Sequence, residues 1–451
     1  MSDRSKNKVS VGIQTELPPD FEFSDEFREA FELLENSREH ILITGKAGTG
    51  KSTLLEYFRM NTKKNVVVLA PTGVAAIKVR GQTIHSFFRF PPRLILEEHI
   101  RRLNKGDLME RIDAVIIDEA SMVRADLLDG IDYSLRLNRD AYNEPFGGAR
   151  ILLFGDLFQL PPVVNQEFKE ILKQKYKSPY FFSAKVFDEI SLRVISLNKI
   201  YRQKDEKFIN LLNKVRENKC SKDDLSVLNE RVFSKISDVP EGVVTLTATN
   251  NVANTLNRKR LAQIPREEFV YSASVEGEFN DKEYPAEKDI TLKTGAQVIM
   301  LKNDTKKQWV NGTICEIVEL SDGVIRVSID HTICDVPKTT WEKVRYAYNK
   351  KTGRIEEEVV GSFKQYPIKL AWAITIHKSQ GQTFDDVMID IGGGAFAHGQ
   401  TYVALSRCRT LEGIHIKRPI ARSDIIFDNK IYDFMSKIND TNEVQVVDFS
   451  E

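Results

Sequence analysis

The chain has 451 residues, 41% of them apolar and 29% charged, with no run of about 18 apolar residues that could cross a bilayer. That length exceeds what one hydrophobic core organises, so several domains are expected and no membrane partner. Its 65 basic and 65 acidic residues cancel, which excludes coating of nucleic acid by bulk charge and leaves only a local basic groove.

Residues 1–22 lack sustained periodicity, carry Pro18-Pro19 and show neither a secretory apolar core nor an Arg-rich targeting pattern, so a flexible tail and an intracellular chain are expected. Cys220, Cys315, Cys334 and Cys408 are too scattered for a zinc site or a disulfide framework. An apolar helical face in DEFREAFELLENS leads into the short strand HILITG and a glycine turn. The runs VVVLAPTG, AVIIDEA and ARILLFGD each stop at a polar or glycine residue, as parallel strands covered on both faces do. These features predict an α/β domain over 23–191. A second α/β unit starts at Leu192 with RVISLNKIYRQ and helical KFINLLNKVREN. Short alternating strands over 291–366, separated by turns at Ser321-Asp322-Gly323 and Lys351-Thr352-Gly353, predict a small antiparallel barrel. The α/β texture resumes at IKLAWAITIHKSQGQ, so the second unit is 192–290 plus 367–438 with the barrel inserted, and 439–451 is a polar tail.

Gly45-Lys46-Ala47-Gly48-Thr49-Gly50-Lys51-Ser52 fits the phosphate-binding GxxxxGK[ST] pattern between a strand and a helix. Its glycines, Gly45, Gly48 and Gly50, let backbone N–H groups turn onto phosphate oxygens, together with Thr49 and Thr53. Lys51 reaches the β- and γ-phosphates, and the Ser52 hydroxyl serves Mg²⁺. Asp118 and Glu119 end the strand AVII: Asp118 is expected behind the magnesium, and Glu119 as the group that orients and deprotonates the attacking water. Read alone, the same pair fits a helix-capping acidic pair. Gln159 in GDLFQLPP is placed to contact the γ-phosphate, although LPP also reads as a strand ending at a rigid turn. Arg202 and Arg407 are candidates for the positive charge that phosphoryl transfer needs, reaching ATP across an interdomain cleft.

GKAGTGKST, APTG with GQTIHSFF, IDEASM, FGDLFQLPPV, NKIYRQ, AITIHKSQGQTFDDV and YVALSRCR occur in the order found in superfamily-one DNA helicases. With SMVRADLLDGIDYSLRLNRDAYNEPFGG between two of them, the chain resembles the petite-integration-frequency (Pif) family over residues 23 to about 435, and RecD-type helicases more distantly. The resemblance implies two RecA-like domains with ATP between them, a Src-homology-3-like barrel in the second, and a small insertion at about 85–110. It implies contacts to single-stranded DNA from Thr72, Gly73, Thr83 and His85, and from His377, Lys378, Ser379 and Gln380, with Gly381 at the nucleotide. Phe87, with Phe88 and Phe90, offers either base-stacking faces or core packing. Arg80–Arg111, with seven basic and four acidic residues, is either a duplex-splitting wedge or a solvated face. A glutamine upstream of the phosphate loop that reads adenine in the family is absent, and Glu26 stands about where it would fall.

The expected function is an ATP- and Mg²⁺-dependent 5′-to-3′ helicase that acts as a single chain on single strands and single-strand/duplex junctions. G-quadruplex unwinding, DNA repair, recombination and telomere maintenance come with the resemblance, and nucleoid association if the source is bacterial. The alternatives are a translocase that strips proteins without unwinding, and a nucleotide-gated DNA-binding protein.

Overall fold

The structure is a computed structural model describing residues 24–103, 106–164, 166–233, 242–440 and 446–448; the expected tail at 1–22 lies outside them. Helix α1 (Asp25–Asn36) starts where the Ser24 hydroxyl accepts from the Phe27 N–H, and it buries Phe27, Ala30 and Leu34 on one face. Strands β1 (His40–Gly45), β2 (Val66–Ala70), β3 (Gln82–Thr83), β4 (Ala114–Ile117), β5 (Arg150–Phe154) and β6 (Leu192–Leu197) pair in the order β6-β1-β5-β4-β2-β3, all parallel. Helices α2 (Lys51–Asn61), α3 (Gly73–Lys78), α4 (Ile84–Phe88), α5 (Ala125–Asn138) and α6 (Gln166–Lys175) lie in the connections. Successive strand residues face opposite sides: Leu42, Val115 and Leu153 enter one core, and Ile43, Ile116 and Phe154 the other. Two buried faces are why these strands read as unbroken apolar runs.

Two boundaries differ from the sequence expectation. Leu192–Leu197 was assigned to the second unit, yet it pairs with β1 from His40↔Leu192 to Gly45↔Leu197 and belongs to the first sheet. The expected C-terminal tail contains a strand, Val446–Asp448, added parallel outside β6. An apolar run shows that it is buried but not which sheet buries it.

The second domain begins with α7 (Glu206–Arg216), α8 (Lys222–Asn229), β7 (Val244–Thr247) and α9 (Asn250–Gln263). The inserted unit then spans β8 (Glu268–Ser272), β9 (Ser274–Gly277), β10 (Asp289–Lys293), β11 (Gln297–Met300), β12 (Ile314–Ser321), β13 (Val324–Ile329), β14 (Thr332–Asp335), β15 (Thr339–Asn349), β16 (Arg354–Gln365) and β17 (Ile368–Leu370). They form antiparallel sheets β14-β13-β12-β11-β17, β15-β16-β9 and β10-β8. The insertion starts near 268 rather than 291 because β8 and β9, largely exposed or half-buried, lack the alternation that marks β11 to β13. Strands β18 (Ala373–Thr375) and β19 (Val387–Asp390), helix α10 (Gln400–Leu405) and strand β20 (Ile414–Ile416) complete a parallel sheet, β18-β7-β19-β20. These are two RecA-like domains. Helix α11 (Asn429–Asp440), expected in the second unit, packs on the first: Ile431 joins its core and Phe434 stacks on Phe182 at 4.3 Å. Among the described residues no helix is long and apolar enough to cross a membrane.

Candidate functional site

The turn from β1 into α2 depends on glycine. Gly48 has φ 84°, and a Cβ there would lie 2.6 Å from the Arg202 Cβ. Its carbonyl accepts from the Tyr201 N–H at 2.9 Å. Gly45 and Gly50 are also left-handed or strained, and Thr49 is buried, its hydroxyl donating to the Lys46 carbonyl at 3.0 Å. The Lys51 ammonium donates to the carbonyls of Gly45 (2.7 Å) and Lys46 (2.9 Å). Burial pulls its pKa down to about 8, against the opposing pull of Asp156 and Glu119. Ser52 is exposed and Thr53 half-buried on the first helical turn.

Asp118 leaves the end of β4 buried, and burial followed by the neighbouring Glu119 charge pushes its carboxyl above the ordinary range. Glu119 itself adopts φ 51°, a left-handed backbone uncommon outside glycine and concentrated at functional sites. After β5, the Asp156 carboxylate accepts from the Gln159 side-chain amide at 3.2 Å, and Gln159 Oε1 accepts from Gln380 at 3.4 Å. Glu26 Oε1 accepts from the Asn198 N–H at 2.6 Å, and its buried Oε2 has no hydrogen-bond partner.

Arg407 is 1% exposed, and its guanidinium donates only to neutral acceptors: the carbonyls of Val403 (2.9 Å), Ser379 (3.4 Å) and Gln382 (3.5 Å) and the Ser406 hydroxyl (2.9 Å). Arg202 donates to the Ser406 carbonyl at 3.1 Å. Among the described residues neither forms an ion pair. Burial lowers Arg202 to about 10 and Arg407 to about 9, each arginine's charge adding to the burial for Arg407. Arg202 follows directly on the first sheet, so it does not cross from the second domain as expected; its place against Gly48 comes from the strand before it. Two residues that motif reading passed over complete this wall. The Tyr402 hydroxyl accepts from the Ala47 N–H at 2.9 Å, and Gln203 donates to the carbonyls of Ser406 (3.2 Å) and Cys408 (2.9 Å). Their signal was adjacency, each lying within five residues of a candidate arginine.

Beside this cleft a cavity of about 3080 Å³ runs between the two domains and the insertion. Thr72, His377, Lys378, Gln380 and Gly381 line it, with Lys302 and Lys369, which no motif had marked. Burial and then the Lys378 charge pull Lys369 down to about 8. Phe396, 65% exposed on this wall, was likewise missed. Several expected contacts lie elsewhere. Phe87 is fully buried, edge-on to Phe88 and Tyr346, so it is core and offers bases no face. Ser379 is fully buried with its hydroxyl on the Ile376 carbonyl. Gly73 abuts Glu283 of the insertion; Thr83 caps α4 through the Ser86 N–H. His85, held below its ordinary pKa by burial and then Arg124, is with Thr83 outside the described lining. The 85–110 stretch sinks Phe88, Phe90, Ile95 and Ile100 into the first core.

A family model described as PIF1-like helicase matches residues 22–226. The ATP-dependent DNA helicase Pif1 of Bdellovibrio bacteriovorus is 33% identical over 95% of both chains. The Bacteroides sp Pif1 crystal structure in complex with ADP-AlF4 superposes with a TM-score of 0.87 at 36% identity, covering 94% of this chain and 99% of that one. Bacteroides Pif1 bound to ssDNA gives 0.67 at 37% identity, covering 93% and 98%. The two forms of one protein thus differ in the arrangement of their parts, and this chain matches the first.

Proposed function

The chain belongs to the PIF1-like helicase family and is an ATP-dependent DNA helicase, and we propose on that premise how its own residues do the work and in which direction it moves. The observation that carries the proposal is the pair of buried guanidiniums, Arg202 and Arg407, bonded to neutral acceptors beside Lys51. A desolvated cation without a counter-charge is costly, and a polyphosphate in the cleft supplies the missing negative charge.

In this reading Gly45, Gly48, Thr49, Gly50 and Thr53 cradle the phosphates, and Lys51 leaves the Gly45 and Lys46 carbonyls for the β- and γ-oxygens. Arg202 and Arg407 stabilise charge on the transferring group, while Gln159 senses it. Glu119, with its backbone fixed in the left-handed region, orients the attacking water. Mg²⁺ fits Ser52 and Asp118: the hydroxyl is exposed on the first helical turn, and the Asp118 carboxyl, disfavoured as an anion by burial and by Glu119, gains from a cation. When bound, the ion would neutralise phosphate charge. The groove holds the single strand, with Thr72 on one domain and His377, Lys378 and Gln380 on the other. Hydrolysis then alternates their grip.

Movement 5′ to 3′ is tested with two substrates of identical duplex, one bearing only a 5′ tail and the other only a 3′ tail. With ATP and Mg²⁺ the chain is expected to release strands from the first. Release from the 3′-tailed substrate would reverse the polarity, and release from neither, with DNA-stimulated hydrolysis intact, would make it a translocase.

A further inference from the structure

The second domain reaches the glutamine loop through a residue that no motif contains. Arg216 ends α7, whose Phe208, Leu211, Leu212 and Val215 sit in the second core, yet its guanidinium crosses the cleft. There its Nη2 donates to Asp156 Oδ1 at 3.1 Å, and the plane lies 3.8 Å from the Phe158 ring centroid. The two charged side chains are 10% and 0% exposed, and Arg216 Nε is buried without a partner. Asp156 Oδ1 also accepts from the Phe158 N–H, and Oδ2 accepts from Gln159, whose own oxygen accepts from Gln380. A continuous line of bonds therefore runs from α7 through Asp156 and Gln159 back to the second domain at Gln380. The loop is gripped elsewhere too: a Cβ on Gly399 would lie 2.3 Å from the Phe158 carbonyl.

A fully buried carboxylate requires a cation, and Asp156 has two within electrostatic reach, Arg216 and Lys51. Arg216 belongs to the second domain and Lys51 to the phosphate loop. We propose that Arg216 is a positioning residue: by satisfying Asp156 it frees Lys51 for the phosphates and fixes the Gln159 amide, so both take their working positions only when the domains are closed. Where the cleft opens and Arg216 withdraws, Asp156 is left with Lys51 as its counter-charge and competes with phosphate for it. The helix α7 thereby ties hydrolysis to domain closure. This inference rests on the ATPase reading of the cleft.

The test is a double-mutant cycle on the full chain, reading kcat/KM for ATP with saturating single-stranded DNA. Arg216→Gln is expected to lower it tenfold or more in the natural background. In an Asp156→Asn background, where no carboxylate competes for Lys51, the same change is expected to cost at most twofold. Equal losses in both backgrounds would make Arg216 a packing residue on Phe158 and overturn the proposal, as would no loss in either. If Arg216→Gln does not fold, Arg216→Lys, which keeps the charge, is expected within threefold of the natural chain; a loss above tenfold overturns the electrostatic role. Absence of DNA-stimulated hydrolysis in the natural chain would instead overturn the ATPase reading itself.

Discussion

Arg407 is 1% exposed and bonded only to neutral acceptors, an arrangement with no structural advantage over an apolar side chain of similar volume. Arg407→Ala is therefore expected to lower ATP turnover by about 10³-fold, the scale of a lost arginine finger, with nucleotide affinity changed far less. Steady-state hydrolysis with single-stranded DNA checks this, and unchanged turnover would make Arg407 a scaffold residue. His40 makes a different prediction. Its Nδ1 accepts from the Ile151 N–H at 3.0 Å, and burial followed by Arg150 pulls its pKa down to about 4. The unfolded chain binds that proton near the ordinary value of about 6.5, so the stabilising contribution is full above that pH and is lost as pH falls towards 4. The loss amounts to roughly 3 kcal/mol. His40→Gln should flatten urea stability between pH 6.5 and 4 by that amount; an unchanged slope would assign it to other histidines.

The β15–β16 hairpin acts as an element. It reaches from the insertion to the first sheet, where the Tyr346 hydroxyl accepts from the Val68 N–H at 3.0 Å and donates to its carbonyl at 3.3 Å. Strand β3 pairs only with Leu69 and Ala70, so the hydroxyl covers an edge of β2 that would otherwise be open. Arg59 pairs with Glu357, and the Asn65 side chain accepts from the Ile355 N–H at 3.0 Å. Contacts made only in the DNA-free arrangement oppose DNA binding by their own free energy. Losing the two hydrogen bonds costs about 1–3 kcal/mol, so Tyr346→Phe should tighten single-strand binding by about tenfold, read by fluorescence anisotropy. Unchanged or weaker binding by a folded variant would mean that the hairpin stays docked on DNA.

At the scale of the whole molecule, zero net charge places nucleic-acid affinity in the groove between domains, where Lys302, Lys369 and Lys378 face Thr72. Binding should weaken with salt at a log–log slope of about −0.7 for each phosphate contacted, and a few contacts rather than ten are expected. A flat titration would remove the groove from the account. Burial that lowers Lys369 to about 8 adds a pH dependence: its ammonium form, which phosphate selects, declines above that pH, so affinity should fall from pH 7 to 9.

The phosphate loop, the acidic pair and the two arginines were legible in the sequence because each depends on local backbone geometry or on residue type at a strand end. The parallel character of the two sheets was legible for the same reason, since strands buried on both faces read as unbroken apolar runs. Which sheet received Leu192–Leu197 and Val446–Asp448, and which core received α11, depended on pairing between segments far apart, to which an apolar pattern is blind. Phe87 and Ser379 carried the residue types of a surface contact but were buried, and burial is a property of the packed chain. The tertiary structure alone brought Arg216 to Asp156 and Tyr402 to Ala47, 60 and 355 residues apart, because a desolvated charge or hydroxyl takes its partner from whatever the closed cleft places beside it.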